Sequence, residues 1–89
     1  MKKYGVFMTH TATEDLKGIV TYIANELREP AIAKKLVGNI KEAIMSLEQM
    51  PTRHFLLGKI VVDNYIAFYT VSEKDEVVTI VRIRYSRRD

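Results

Sequence analysis

The residues best placed to do chemistry sit at the end of the chain, in "RIRYSRRD". Arg82, Arg84, Arg87 and Arg88 fall within the last eight residues, around Tyr85, and only Asp89 offsets them. Clustered guanidinium groups attract phosphates or an acidic protein segment. Metal-free cleavage of RNA would need a base for the 2′-hydroxyl, cations for the charged phosphorane and an acid for the leaving oxygen. Arg84, Arg87, Arg88 and Lys59 can supply charge, and Tyr85 can stack on a base or shuttle a proton. His54 is the neutral-pH base outside the first loop. A plainer reading stands beside this one. The arginines form a solvated strand end, Tyr85 covers the edge of the core, and His54 is an ordinary loop residue. These residues alone leave both readings open.

Other candidates carry less. His10, just before the first helix, reads as a loop or capping residue, and two isolated histidines make no metal site. Glu14/Asp15 and Glu42/Glu48 read as solvated helix faces. Tyr65, Phe68 and Tyr69 form an aromatic run that could stack on bases, although Phe68 is expected in the core. There is no Gly-rich phosphate loop and no serine triad. No metal and no cofactor is expected.

The elements that must position these residues follow from pattern. "YGVFM" (4–8) reads as a first strand. Thr11 and Glu14 form a capping box that starts a helix, with an apolar stripe at Leu16, Ile19, Val20, Ile23 and Leu27. Pro30 suits the first turn of a second helix, whose stripe is Ile32, Ala33, Leu36, Val37, Ile40, Ile44 and Leu47. Pro51 should stop it near Met50. The short connection predicts an antiparallel helical hairpin.

Beyond Pro51 the chain turns rich in β-branched and aromatic residues. Turn signals at Asp63–Asn64 and Glu73–Glu76 divide it into strands over 59–62, 65–72 and 77–85, an antiparallel meander. Strict alternation along the last strand puts Val78, Ile80, Arg82 and Arg84 on one face, turning from apolar to basic partway along. The order β-α-α-β-β-β predicts an α+β fold, a helical hairpin packed on a small, mainly antiparallel sheet.

Composition sets the limits. The chain has 89 residues, 47% apolar and 28% charged, with net charge +3. That predicts a single folded domain over 1–89. No cysteine is present, which excludes disulfides and thiolate chemistry. No apolar run approaches the roughly 20 residues of a membrane helix. No signal peptide and no membrane partner are expected, and the cytoplasm is the expected location.

The chain resembles the RelE/ParE superfamily, toxins of bacterial type II toxin–antitoxin systems. "YIANELREPAIAKKLVGNIKEAIMSLEQMP" is similar to that family's helical hairpin with its closing Met-Pro. "NYIAFYTV" is similar to its central strand and "VRIRYSRRD" to its C-terminal strand and tail. There are two departures. The family carries about ten or more extra residues after the Met-Pro, and the stretch here, "TRHFLLGKI", is short near Leu57–Gly58. RelE-type ribonucleases also place an arginine within the central strand where this chain has Ile66. The ParE-like branch, whose members poison DNA gyrase, tolerates an apolar residue there.

The resemblance implies a growth-inhibiting toxin with a role in plasmid stabilisation, ParE-like and directed at gyrase. A cognate antitoxin would neutralise it in a hetero-oligomer. Target binding would fall to Arg84, Tyr85, Arg87, Arg88 and Lys59. The alternative is a ribosome-dependent mRNA endonuclease using Arg84, Tyr85, Arg87 and Arg88 as catalytic residues. A third reading is a non-toxic nucleic-acid-binding or structural domain.

Overall fold

The computed structural model of the chain describes residues 3–49 and 57–86. Strand β1 (Gly5–Met8) leads into helix α1 (His10–Thr21), which continues as a π-helical turn (Tyr22–Glu26). Helix α2 (Pro30–Met45) follows and tightens into a 3₁₀ turn (Ser46–Gln49). Strands β2 (Gly58–Val62), β3 (Tyr65–Ser72) and β4 (Val77–Tyr85) complete the fold. The sheet order is β1-β4-β3-β2. β1 runs parallel to β4, while β2–β3 and β3–β4 are antiparallel. A parallel pair needs a crossover connection, so part of the link from β1 to β4 must cover the sheet, and the two helices do so. This is the expected α+β architecture.

The core lies between helices and sheet. Ile23, Ala33, Leu36, Ile40, Ile44 and Leu47 are buried on the helical side, and Ala67, Tyr69, Val78, Ile80 and Ile83 on the sheet side. Leu16, Ile19 and Val20 pack against this cluster partly buried. Three stripe members do not join it: Leu27 and Ile32 are about half exposed, and Val37 is half-buried outside the cluster. The physical reason at Leu27 is the π-helical turn. Its N–H donates to the Tyr22 carbonyl five residues back, at 3.1 Å. That wider turn shifts the phase of the 3.6-residue repeat.

The first helix also starts earlier than its capping box predicts. Thr9, not Thr11, is the cap, and its hydroxyl accepts from the Ala12 N–H at 3.0 Å. The choice is fixed from outside the helix. Thr9 N–H donates to the Ile80 carbonyl at 2.9 Å, and its hydroxyl donates to the Val81 carbonyl at 3.1 Å. Thr9 thus caps α1 and prolongs the β1–β4 pairing, which Thr11, two residues further on within the first turn, does not do.

Gly58 is required by its neighbour across the strands. It pairs with Tyr69, and a Cβ there would lie 2.5 Å from the Tyr69 ring. The bare backbone lets that ring bury.

Candidate target-binding surface

Strand pairing decides which side chains of β4 face outward. Residues paired across adjacent strands project to the same face of a sheet. Tyr65, Ala67, Tyr69 and Val71 of β3 pair with Tyr85, Ile83, Ile80 and Val78, and this face meets the helices. Ile66, Phe68, Thr70 and Ser72 pair with Arg84, Arg82, Thr79 and Val77 on the opposite, outer face. Between Phe68 and Tyr69 the partner steps from Arg82 to Ile80. Val81 is the extra residue of a β-bulge, a feature that re-aims side chains. The expected apolar-to-basic face is therefore corrected. Val78 and Ile80 are fully buried toward the helices, whereas Arg82 and Arg84 belong to the outer side and are exposed.

Beyond Met8, which pairs with Ile80, β1 ends, and among the described residues no strand continues along that edge of β4. A side chain from α1 takes the next strand's place. Asp15 Oδ2 accepts from the Ile83 backbone N–H at 3.0 Å and from Arg82 Nε at 2.8 Å, while Oδ1 lies 3.4 Å from Arg82 Nη2. The hydrogen bond from Arg82 is the main force holding the Asp15 carboxyl below its ordinary range. Partial burial opposes it, while the Ile83 N–H and the charges of Arg82 and Arg84 add to it. Asp15 is thus no member of a solvated acidic pair. Its neighbour Glu14 is exposed and pairs with Lys17 at 3.6 Å. Nothing in the sequence marks Asp15, because its partners lie 67 and 68 residues away.

The predicted site residues divide between the two faces. Arg84 is exposed on the outer face, opposite Ile66, which in turn faces Val61 of β2. Lys59 is exposed on the same face, opposite Phe68. Phe68 is therefore half-buried on the outer side and not in the core. Tyr85 stands on the helix-facing side, 62% exposed. Its ring meets Tyr65 edge-on at 5.5 Å, and burial pushes the Tyr65 hydroxyl up. His10 opens α1 and is exposed. Arg87, Arg88 and His54 lie outside the described residues.

The outer surface therefore joins Arg84 and Lys59 across Val61, Ile66 and Phe68. Arg82 is drawn aside by Asp15. The strand end is held from its other flank as well, where the Ser86 N–H donates to the Asn64 carbonyl at 2.7 Å. Sequence reading missed Val61, an apolar residue 61% exposed. On the helix side an open cleft of about 620 Å³ runs between Leu27, Ile32, Leu36, Asp63 and Tyr65. Among the described residues no cluster of acidic or histidine side chains is arranged to hold a metal ion. None of the described helices is long and apolar enough to cross a membrane.

Comparison with known proteins gives consistent results. The profile described as "ParE toxin of type II toxin-antitoxin system, parDE" matches residues 6–89. No curated protein sequence matches the chain. Among solved structures, the chromosomal ParDE toxin–antitoxin system from P. aeruginosa superposes with a TM-score of 0.78 at 21% identity, over 96% of this chain and 98% of that one. A RelBE toxin–antitoxin complex from Mycobacterium tuberculosis gives 0.63 at 23% identity, over 100% and 97%. The archaeal RelE–RelB complex from Pyrococcus horikoshii gives 0.56 at 17%, over 98% and 99%. At these identities the likeness is one of fold.

Proposed function

The chain belongs to the ParE toxin family of type II toxin–antitoxin systems, and we propose that it arrests growth by binding DNA gyrase through the outer face of its sheet, without cleaving RNA. The observation that carries this is the composition of that face. Between Arg84 and Lys59 lie Val61, Ile66 and Phe68, and among the described residues the strands of that face supply no carboxylate or imidazole, Asp15 reaching it from α1 only at Arg82. Cations beside an apolar strip suit a protein surface, with charge setting register and apolar side chains adding affinity. RNA cleavage needs a base and an acid converging on one phosphate. Here Tyr85 is turned to the other side of the strand from Arg84. In this reading Arg87 and Arg88 also serve target binding.

We further propose a cognate antitoxin that binds the toxin in a hetero-oligomer. Solved neighbours of this fold are toxin–antitoxin assemblies. The half-exposed Leu27 and Ile32 beside the helix-side cleft offer apolar anchors to an amphipathic segment. Binding to the folded state alone would raise the melting temperature.

Purified protein should inhibit gyrase supercoiling and leave ribosome-bound mRNA intact. Cleavage of that mRNA with supercoiling unaffected would replace this reading with the endonuclease. If expression without a partner fails to arrest growth, the chain is a non-toxic domain.

A further inference from the structure

One interaction joins the first helix to the base of the arginine cluster. Asp15 reaches from α1 to the open edge of β4 and accepts the Ile83 N–H at 3.0 Å. A backbone amide at a sheet edge is ordinarily satisfied by a neighbouring strand or by water. Here the last strand-like bonds on that flank come from Thr9, to the carbonyls of Ile80 and Val81. Asp15 makes the next one. On the opposite flank the Ser86 N–H is tied to Asn64. The segment 83–86 is thereby fixed from both sides, just after a bulge has turned Arg84 to the outer face. A bulged strand with one open edge is free to twist, so its direction depends on what holds that edge.

We propose that Asp15 is a positioning residue for the toxin's target-binding end. Through the Ile83 amide it fixes the course of 83–86, and so the place from which Arg84 projects. It contacts no target itself. The Arg82 hydrogen bond does most to set the acidity of the carboxyl, but the guanidinium is 45% exposed at its side chain, where such pairs contribute little to stability. This rests on the target-binding reading above.

Three substitutions separate the parts. Asp15→Ala removes the acceptor of the Ile83 N–H. Asp15→Asn keeps an oxygen for it and removes the charge. Arg82→Ala removes the ion pair and leaves the amide bond in place. Each is made in the full chain, purified and read three ways: inhibition of gyrase supercoiling, growth arrest on expression, and amide hydrogen exchange along β4.

Losing the bond should weaken inhibition by about tenfold in Asp15→Ala. Exchange should quicken at residues 83–86 by clearly more than the uniform rise that any loss of global stability gives Val78 and Ile80. Asp15→Asn and Arg82→Ala should stay within about threefold of the parent, under the same conversion of a minor energy change. Hydrogen exchange keeps the test valid if one variant loses stability, because global unfolding would quicken Val78 and Ile80 too.

Equal loss in Arg82→Ala and Asp15→Ala would overturn the proposal in favour of the ion pair. So would full potency in Asp15→Ala. A parent that arrests growth without touching gyrase would refute the target, and positioning would then be decided on growth arrest with the same three variants. A parent that does neither would overturn both.

Discussion

The two halves of β4 are one strand in sequence and two environments in space. Val77–Ile80 has β3 on one side and β1 on the other, and Val78 and Ile80 are fully buried. Beyond the bulge, β3 continues on one side, while the described residues offer only Asp15, at Ile83, on the other. Of the residues there, Ile83 alone is buried. The first half is held by backbone bonds along both edges and serves stability. The second is held along one edge and at single points, so its side chains are available to a partner.

The largest test of that contrast lies in the first half. Ile80→Ala empties a site with no solvent access, and such truncations cost about 3 kcal/mol. Equilibrium urea denaturation should show most of the protein's stability gone, with no comparable loss from any alanine substitution at the exposed arginines. The helix-facing side is equally tight at Gly58. A methyl group there would strike the Tyr69 ring at 2.5 Å, so Gly58→Ala should cost about 2 kcal/mol by overpacking. An unchanged denaturation midpoint would mean the ring can move aside.

Next in size is the link between the halves. Asp15→Ala should cost about 1–2 kcal/mol for a charged hydrogen-bond acceptor. The pH dependence has a fixed sign. The folded state holds the Asp15 carboxyl below its ordinary range, so the unfolded state takes up the proton first as pH falls. The contribution is present above the unfolded-state value of about 3.9 and is lost as pH falls through the lower folded-state value. Melting temperatures from pH 7 to pH 5 should be flat on this account and should drop below about pH 4. Asp15→Asn should remove that part of the acid limb. An unaltered acid limb would show that the carboxylate contributes nothing there.

Much of this fold is legible in sequence. The bounds of β3 and β4 follow from β-branched runs between the Asp63–Asn64 and Glu73–Glu76 turns, and β2 is off by one residue. The parts that mislead share one cause: period and propensity are local, while the features that matter here are set across the fold. Strict alternation groups Arg82 with Ile80, but the bulge at Val81 breaks that alternation and turns Arg82 to the outer face. Three threonines compete to cap α1, and the winner is decided by carbonyls of β4 more than 70 residues away. Leu27 keeps the spacing of a core residue and loses the position through a π-helical turn. In the candidate site, Arg84 and Lys59 were legible as exposed cations. Their shared face was not, because it depends on the register between strands.

A smaller effect is expected on the outer face. Ile66 is half-buried opposite Arg84, so Ile66→Arg sets like charges across a strand pair. That should cost about 0.5–1 kcal/mol; a buried inward site would be penalised far more. It should create no cleavage of ribosome-bound mRNA, since no base or acid accompanies it among the described residues of that face. Cleavage gained by this one change would mean that the face lacks only a cation to become a reaction centre.

The smallest effect on stability, and the sharpest on function, is expected at Arg84. The side chain is exposed in the half of β4 with an open edge. Surface changes of this kind stay within about 0.5 kcal/mol, so Arg84→Ala should melt almost with the parent. If the outer face binds the target, the same protein should lose gyrase inhibition by about tenfold, the loss of one charged hydrogen bond. Arg87→Ala with Arg88→Ala should do likewise without unfolding. Arg82→Ala should behave in the opposite way, because its guanidinium is spent on Asp15 at 2.8 Å: a small loss of stability with potency kept. The contrast between positions 82 and 84, two residues apart on one face, separates a cation that holds the fold from one that meets a partner. Equal potency in Arg84→Ala and Arg82→Ala, both folded, would reduce the whole basic end to a solvated strand terminus.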